Sequence, residues 1–159
     1  MRIGVIGLGN PLQQDDGIGI VLVDQLNEQK NKLPANIECI DGGIGGMNLL
    51  HLLARFDVVF ILDAVNFCRK PAESRLCTPD ELISKKAPLT MSTHEADVLN
   101  VLRVAKELNQ IPKEVYIFGV QPKTISPGMH LSQELQDAVP LLVETVVKKI
   151  VILSQRKNR

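Results

Sequence analysis

The amino-acid sequence predicts an α/β fold, a largely parallel sheet with helices on both faces. Three observations lead there. Short β-rich runs alternate with longer helical patterns along the 159-residue chain. One of these runs, Val58-Val59-Phe60-Ile61-Leu62, is apolar without alternation, as a strand covered on both faces must be. Aromatic residues make up only 3% and Trp is absent, so the core is built from Val, Ile, Leu and Ala, a composition suited to a parallel sheet under helices.

The elements follow in order. Arg2 to Leu8 is an apolar run that ends in Gly-x-Gly-Asn-Pro, a strand followed by a turn. From Gly17 to Lys30, the residues Ile18, Val21, Leu22 and Leu26 recur at helical spacing, and Asp15 and Asp16 sit where N-cap carboxylates belong. Ile37 to Asp41 reads as a second strand, closed by Gly42, Gly43, Gly45 and Gly46, and Met47 to Arg55 as a short helix. Val58 to Leu62 is the buried strand, ending at Asp63, and Arg75 to Thr78 reads as a short extra strand of antiparallel sense. Ser92-Thr93-His94-Glu95 has the form of a capping box, in which Ser92 caps the Glu95 amide and Glu95 reaches back. Val98, Leu102, Ala105 and Leu108 then mark one face of a helix. Val115 to Val120 is the last strand. A helical pattern runs from Ser132 to about Leu153, where Pro140 either kinks the helix or starts its main part.

At roughly 150 residues per domain, one domain is expected. No repeat or low-complexity linker divides the chain, so the domain is drawn over residues 1–154, with 155–159 as a polar tail. Lys and Arg number 18, as do Asp and Glu, so the net charge is zero and a broadly basic nucleic-acid surface is not expected. The three cysteines, Cys39, Cys68 and Cys77, are odd in number and form no CxxC, which argues against a disulfide framework or a thiolate zinc site and fits a reducing cytosol. The N-terminal apolar run is too short and too Gly-broken for a secretory leader, and no stretch approaches the roughly 20 apolar residues of a membrane span. The expected setting is the cytoplasm.

The topology brings the chemistry to one edge. Asn10, Asp16, Asp41, Asp63 and the loop at Gln121 all follow carboxyl ends of strands, where open α/β sheets bind ligands. Asp63 is the first polar residue after five apolar ones, and its position fits equally a carboxylate that caps the next turn or one that meets a cation or several N–H groups. One helix cap needs one carboxylate, and Asp15 and Asp16 supply two, so the second is available to the cleft. His94 sits at a helix N-terminus, which disfavours imidazolium and keeps a ring nitrogen able to bind metal. The same position equally suits a plain surface histidine in a first turn. His51 reads as a packed or half-exposed helix residue, and His130 as a weaker ligand candidate in a loop. Two carboxylates and an imidazole form a mixed O/N set that suits nickel, zinc, manganese or ferrous iron with positions left open. The Gly-rich turn Gly7-Leu8-Gly9-Asn10-Pro11-Leu12 resembles the start of a dinucleotide fingerprint. It lacks the third Gly, however, and leads into two carboxylates where a pyrophosphate would sit, so no nucleotide cofactor is expected. No G-x-S-x-G elbow occurs, and Cys68 and Cys77 read as structural thiols.

Five blocks together resemble the hydrogenase maturation endopeptidases. They are Gly7 to Leu12 with Asp15-Asp16-Gly17-Ile18-Gly19; Asp41-Gly42-Gly43-Ile44-Gly45-Gly46-Met47-Asn48-Leu49-Leu50; Ile61-Leu62-Asp63-Ala64; Met91-Ser92-Thr93-His94; and Gly119-Val120-Gln121-Pro122 with Gly128 to Ser132 beyond it. The blocks fall in family order and span nearly the whole chain. The resemblance implies a three-layer α/β/α sandwich around a twisted, largely parallel sheet of about five strands, of phosphorylase/hydrolase-like type. It implies an endopeptidase that removes the C-terminal extension of a nickel–iron hydrogenase large-subunit precursor after nickel insertion. It further implies that Asp16, Asp63 and His94 are the metal-contacting and catalytic positions, and that Asp41, Gly42 and Gly43 handle substrate. Nickel would arrive on the substrate. Asp16 stands where the family carries Glu or Asp. Gly43-Ile44 stands where the family often has Gly-Thr, so no hydroxyl contact is expected there.

Two other readings share features. A non-catalytic nickel-binding assembly module would use the same three residues but hold the ion tightly by itself. Peptidyl-tRNA hydrolases carry a similar Gly-Leu-Gly-Asn-Pro turn, but that activity needs a histidine soon after the turn and a basic face. Here the first histidine is His51 and the net charge is zero.

Overall fold

The computed structural model describes residues 1–85 and 93–156. The elements run β1 (Ile3–Gly7), a 3-10 turn (Gln14–Gly17), α1 (Ile18–Glu28), β2 (Ile37–Asp41), α2 (Met47–Leu53), β3 (Val58–Ala64), β4 (Ser74–Cys77), α3 (Pro79–Lys85), α4 (Thr93–Glu107), β5 (Glu114–Val120) and α5 (Gln133–Arg156). Among the described residues, five strands form one sheet in the order β2-β1-β3-β5-β4. The first four lie parallel, and β4 pairs antiparallel with β5 at the edge, as its sequence suggests.

Alternation along the strands divides the core into two layers. Ile3, Val5, Val58, Phe60 and Leu62 point to one face and pack with Leu22 and Leu26 of α1 and Leu142, Val146 and Ile150 of α5. Ile6, Val59 and Ile61 point to the other and pack with Leu49 and Leu53 of α2, Leu82 of α3, and Val98, Val101 and Leu102 of α4. In the first layer the ring of Tyr116 stacks on Phe60, centroids 5.2 Å apart and planes 22° from parallel. No helix among the described residues is long and apolar enough to cross a membrane.

Several elements differ from their sequence-based bounds. The strand β3 runs on through Asp63, because Asp63 and Ala64 pair in register with Gly119 and Val120 of β5. The carboxylate therefore sits inside the strand end rather than after it. The helix α1 begins at Ile18 with Gly17 as its N-cap, and no side-chain cap bond forms there. Asp15 and Asp16 lie within the preceding 3-10 turn and neither is the N-cap of α1, which corrects their reading as its caps. The helix α3 is absent from the sequence-based elements, although Thr78-Pro79-Asp80-Glu81 announces it. The Glu81 amide donates to Thr78 Oγ1 (3.3 Å) and the Thr78 amide to Glu81 Oε2 (3.4 Å), a capping box with Pro at the first helical position. Pro140 lies inside α5 and does not end it. Ser92, proposed as the cap of α4, and the last three residues of the polar tail lie outside the described residues.

Candidate functional site

The first turn after β1 is built around a carboxylate. Asp16 is 4% exposed, and its Oδ2 accepts the Asn10 amide at 2.9 Å. Asn10 in turn accepts the Leu12 amide through Oδ1 at 3.0 Å, closing an Asx turn. Gly9 has φ +143°, and a Cβ there would stand 1.9 Å from the carbonyl oxygen of Asp16, so only glycine lets the turn wrap this closely. The N-terminal end of α1 then crosses the sheet at backbone contact. A Cβ on Gly19 would meet the Leu62 and Leu8 carbonyl oxygens at 2.1 and 2.3 Å. This approach lays the 3-10 turn against β3.

Asp63 stands at the end of that strand, 3% exposed, with Oδ1 accepting the Ala64 amide at 2.8 Å. It shares its side of the strand with Val59 and Ile61 and so faces the layer that contains α4. The helix α4 leads into β5, which is parallel to β3, so α4 runs against the strands and its N-terminus lies at their carboxyl edge. His94 is the second residue of α4. The topology thus carries Asp16, Asp63 and the backbone of His94 to one edge from three separate elements, while the His94 side chain lies outside the described residues. Among the described residues, no three His, Cys, Asp or Glu side chains stand together as a metal site.

Asp41 ends β2 and is exposed. Its Oδ1 accepts the Gly43 amide at 2.8 Å, and the Gly43 carbonyl accepts the Gly9 amide at 2.9 Å. The Asp41–Gly43 loop is therefore bonded to the turn that leads to Asp16. A Cβ on Gly42 would meet Ile6 Cγ2 at 2.6 Å and Leu8 Cδ2 at 2.7 Å, so glycine there lets the loop lie flat on the sheet edge.

Two buried polar residues give this edge its shape, and sequence reasoning missed what both of them do. Asp15 is fully buried and accepts four hydrogen bonds: from the amides of Lys123, Thr124 and Ser132 at 2.9, 2.9 and 2.7 Å, and from Ser132 Oγ at 2.8 Å. Burial pushes its carboxyl up, but these donors outweigh burial and hold it below the usual carboxylate range. Gln121, 6% exposed, accepts the Phe67 and Arg69 amides through Oε1 (2.7 and 3.3 Å) and donates from Nε2 to Asn66 Oδ1 and the Pro122 carbonyl. The only signal in the sequence was a pair of acids where one would do and a glutamine directly after a strand.

The remaining candidates are placed as follows. His51 is exposed on α2, not packed, and His130 is exposed in the loop before α5. Cys77 is buried in the core, while Cys68 is exposed and therefore not a packed structural thiol.

The protein family described as hydrogenase maturation protease matches residues 20–149. The chain belongs to that family. The matched span includes Asp63 and His94, and Asp16 precedes it. Among its relatives, the hydrogenase 2 maturation protease of Escherichia coli (strain K12) is 31% identical over 92% of this chain and 89% of its own length. The hydrogenase-maturating endopeptidase HybD of E. coli superposes with a TM-score of 0.80 at 28% identity, covering 94% of this chain and 92% of that one. A solution structure of an endopeptidase from Escherichia coli matches with a TM-score of 0.79 at 30% identity, covering 92% and 90%. Family membership makes the protein a hydrolase of the endopeptidase kind, and it resolves the Gly-Leu-Gly-Asn-Pro turn in favour of the proteases over the peptidyl-tRNA hydrolases.

Proposed function

We propose that this protein removes the C-terminal extension from the large-subunit precursor of a nickel–iron hydrogenase in the cytoplasm, after nickel has been inserted, and that it recognises the nickel already held by the precursor. One observation carries this reading: two buried carboxylates, Asp16 and Asp63, lie at the carboxyl edge of the sheet on adjoining elements, and α4 brings the backbone of His94 to the same edge.

Two carboxylates and one imidazole are borderline donors that leave a coordination shell incomplete. Such a set binds a free ion weakly. It binds well an ion whose other positions are filled by the substrate's own thiolates. Docking of a nickel-loaded precursor then places its scissile bond beside the carboxylates, and an empty precursor is not held. Hydrolysis adds water across the peptide bond. A carboxylate of the pair takes the proton of the attacking water, and the released amine leaves protonated. The loop Asp41-Gly42-Gly43 lies one strand away, with exposed backbone next to the Asp16 turn, and suits an extended peptide. Nothing in this scheme calls for a nucleotide cofactor, a nucleic acid or a membrane.

The test is a processing assay. Large-subunit precursors from the same host are incubated with the protein, with and without nickel loading, and loss of the extension is followed by mass. Cleavage of the loaded precursor alone is the expected result. A folded protein that cleaves no loaded precursor, yet binds nickel by itself at sub-micromolar concentration, would overturn the reading in favour of a nickel-binding assembly module.

A further inference from the structure

We propose that Asp15 is a positioning residue for substrate binding, fixing the loop between β5 and α5 (residues 121–132) as one wall of the cleft beside Asp16 and Asp63. The inference rests on the endopeptidase reading above and adds to it a residue and a surface.

All four donors to Asp15 come from this one loop, 108 to 117 residues away in sequence. They sit at its two ends, at Lys123 and Thr124 and at Ser132. Backbone bonds add to them: in the middle the Gln14 amide donates to the Gly128 carbonyl (3.1 Å) and the Gly128 amide to the Leu12 carbonyl (2.9 Å), and at the first end the Asp15 amide donates to the Thr124 carbonyl (3.1 Å). At Gly128 a Cβ would stand 2.8 Å from the Gln14 side chain, so the loop lies flush on the turn. The turn that supplies Asp16 and the loop after β5 therefore form a single body.

That body has an outward face. Met129 is 76% exposed and Ile125 48%, and Leu12, whose carbonyl accepts the Gly128 amide, is 61% exposed. A carboxylate that only had to stabilise a turn would not need to reach four donors in a distant loop. Spread over both ends of the loop, they hold its exposed apolar side chains in register with Asp16. A peptide substrate needs contacts away from its reacting atoms. If the wall making those contacts is loosened, binding of ground state and transition state fall together, and the loss appears in KM rather than kcat.

Asp15→Asn keeps the shape of the side chain but turns an amide group towards donors that need an acceptor. Two measurements test the proposal, both on the whole protein. In amide hydrogen exchange of the variant, Lys123, Thr124 and Ser132 are expected to lose about tenfold or more of their protection while β1 and β3 keep theirs, because a clamp that opens locally leaves the rest of the fold closed. In the processing assay with nickel-loaded precursor, KM is expected to rise about tenfold with kcat within about twofold of the parent. Unchanged exchange in the loop overturns the clamp. A fall in kcat at constant KM overturns the substrate-binding role, since that is what a smaller folded fraction produces. Should Asp15→Asn fail to fold, Ser132→Ala removes one donor and is expected to raise KM severalfold, with Ser132→Thr restoring it; equal KM for all three Ser132 forms also overturns the proposal. A parent protein that cleaves no loaded precursor would sink the functional reading and the substrate role together, while the exchange result would still decide whether Asp15 holds the loop.

Discussion

Asp15 and Asp16 are chemically identical neighbours, and the structure gives them opposite tasks. Asp15 spends its acceptors on the 121–132 loop, whereas Asp16 turns to the Asn10 amide beside β3. Only the family resemblance singles out Asp16; the residues themselves do not separate the two, because the donors that define Asp15 lie more than a hundred residues away. The difference should be visible in kinetics. Asp16→Asn, Asp63→Asn and His94→Ala are each expected to lower kcat for loaded precursor by about 10²- to 10⁴-fold, the usual worth of a positioned acid–base or orienting group, with circular dichroism and Tm close to the parent. A variant that processes precursor at the parental rate would be removed from the mechanism. The thiols provide a second contrast. Burial pushes the Cys39 thiol up to about 11, Cys77 is buried, and Cys68 is exposed. Iodoacetamide at neutral pH should therefore label Cys68 first, as read by peptide mass mapping, with Cys39 and Cys77 following only on unfolding. Early labelling of Cys39 or Cys77 would show that the core is looser than described.

At the level of elements, the close crossing of α1 over β1 and β3 fixes the geometry around Asp16. Gly19→Ala would push a methyl group into the Leu62 and Leu8 carbonyl oxygens, which are backbone and cannot swing aside. The expected cost is about 3 kcal/mol, at the upper end of overpacking penalties, read as a lower Tm and denaturant midpoint. Parental stability in that variant would mean that the helix can lift off the sheet. The same reasoning explains which elements were legible. The strand β2 runs from Ile37 to Asp41 as read, since its pattern and its glycine stop are local. Local hydropathy ends β3 at Leu62, whereas pairing with β5 carries Asp63 into the sheet. The helix α5 runs through Pro140 because Leu135, Leu142, Val143, Val146 and Ile150 bury one continuous face, and that burial outweighs one missing backbone bond. The site was legible as a location, from acidic residues after strands, but not as an arrangement. The clamps at Asp15 and Gln121 are long-range hydrogen bonds with no periodicity to reveal them.

For the molecule as a whole, a core split between two faces of one sheet places two titratable groups on the α1–α5 side. Burial raises Cys39 to about 11, from an ordinary 9.0. Burial, then the neighbouring Glu114 carboxylate, raises Tyr116 to about 12, from 10.0. Both groups lose their protons more readily in the unfolded chain. Their contribution to stability is therefore complete below pH 9 and is lost as pH rises through 11 to 12. Urea midpoints measured from pH 8 upward should fall along that limb, and Tyr116→Phe, which keeps a ring against Phe60, should flatten it above pH 10. An unflattened limb would assign the alkaline loss to other groups. The stacked ring of Tyr116 has an optical consequence as well. It is the chain's one tyrosine, in a protein without tryptophan, and it is half-buried on the sheet face at β5. The protein is thus nearly dark at wavelengths that excite indole alone. Any tryptophan emission from a mixture with a partner belongs to the partner, and a single tryptophan introduced at the carboxyl edge would report docking without interference from its own host.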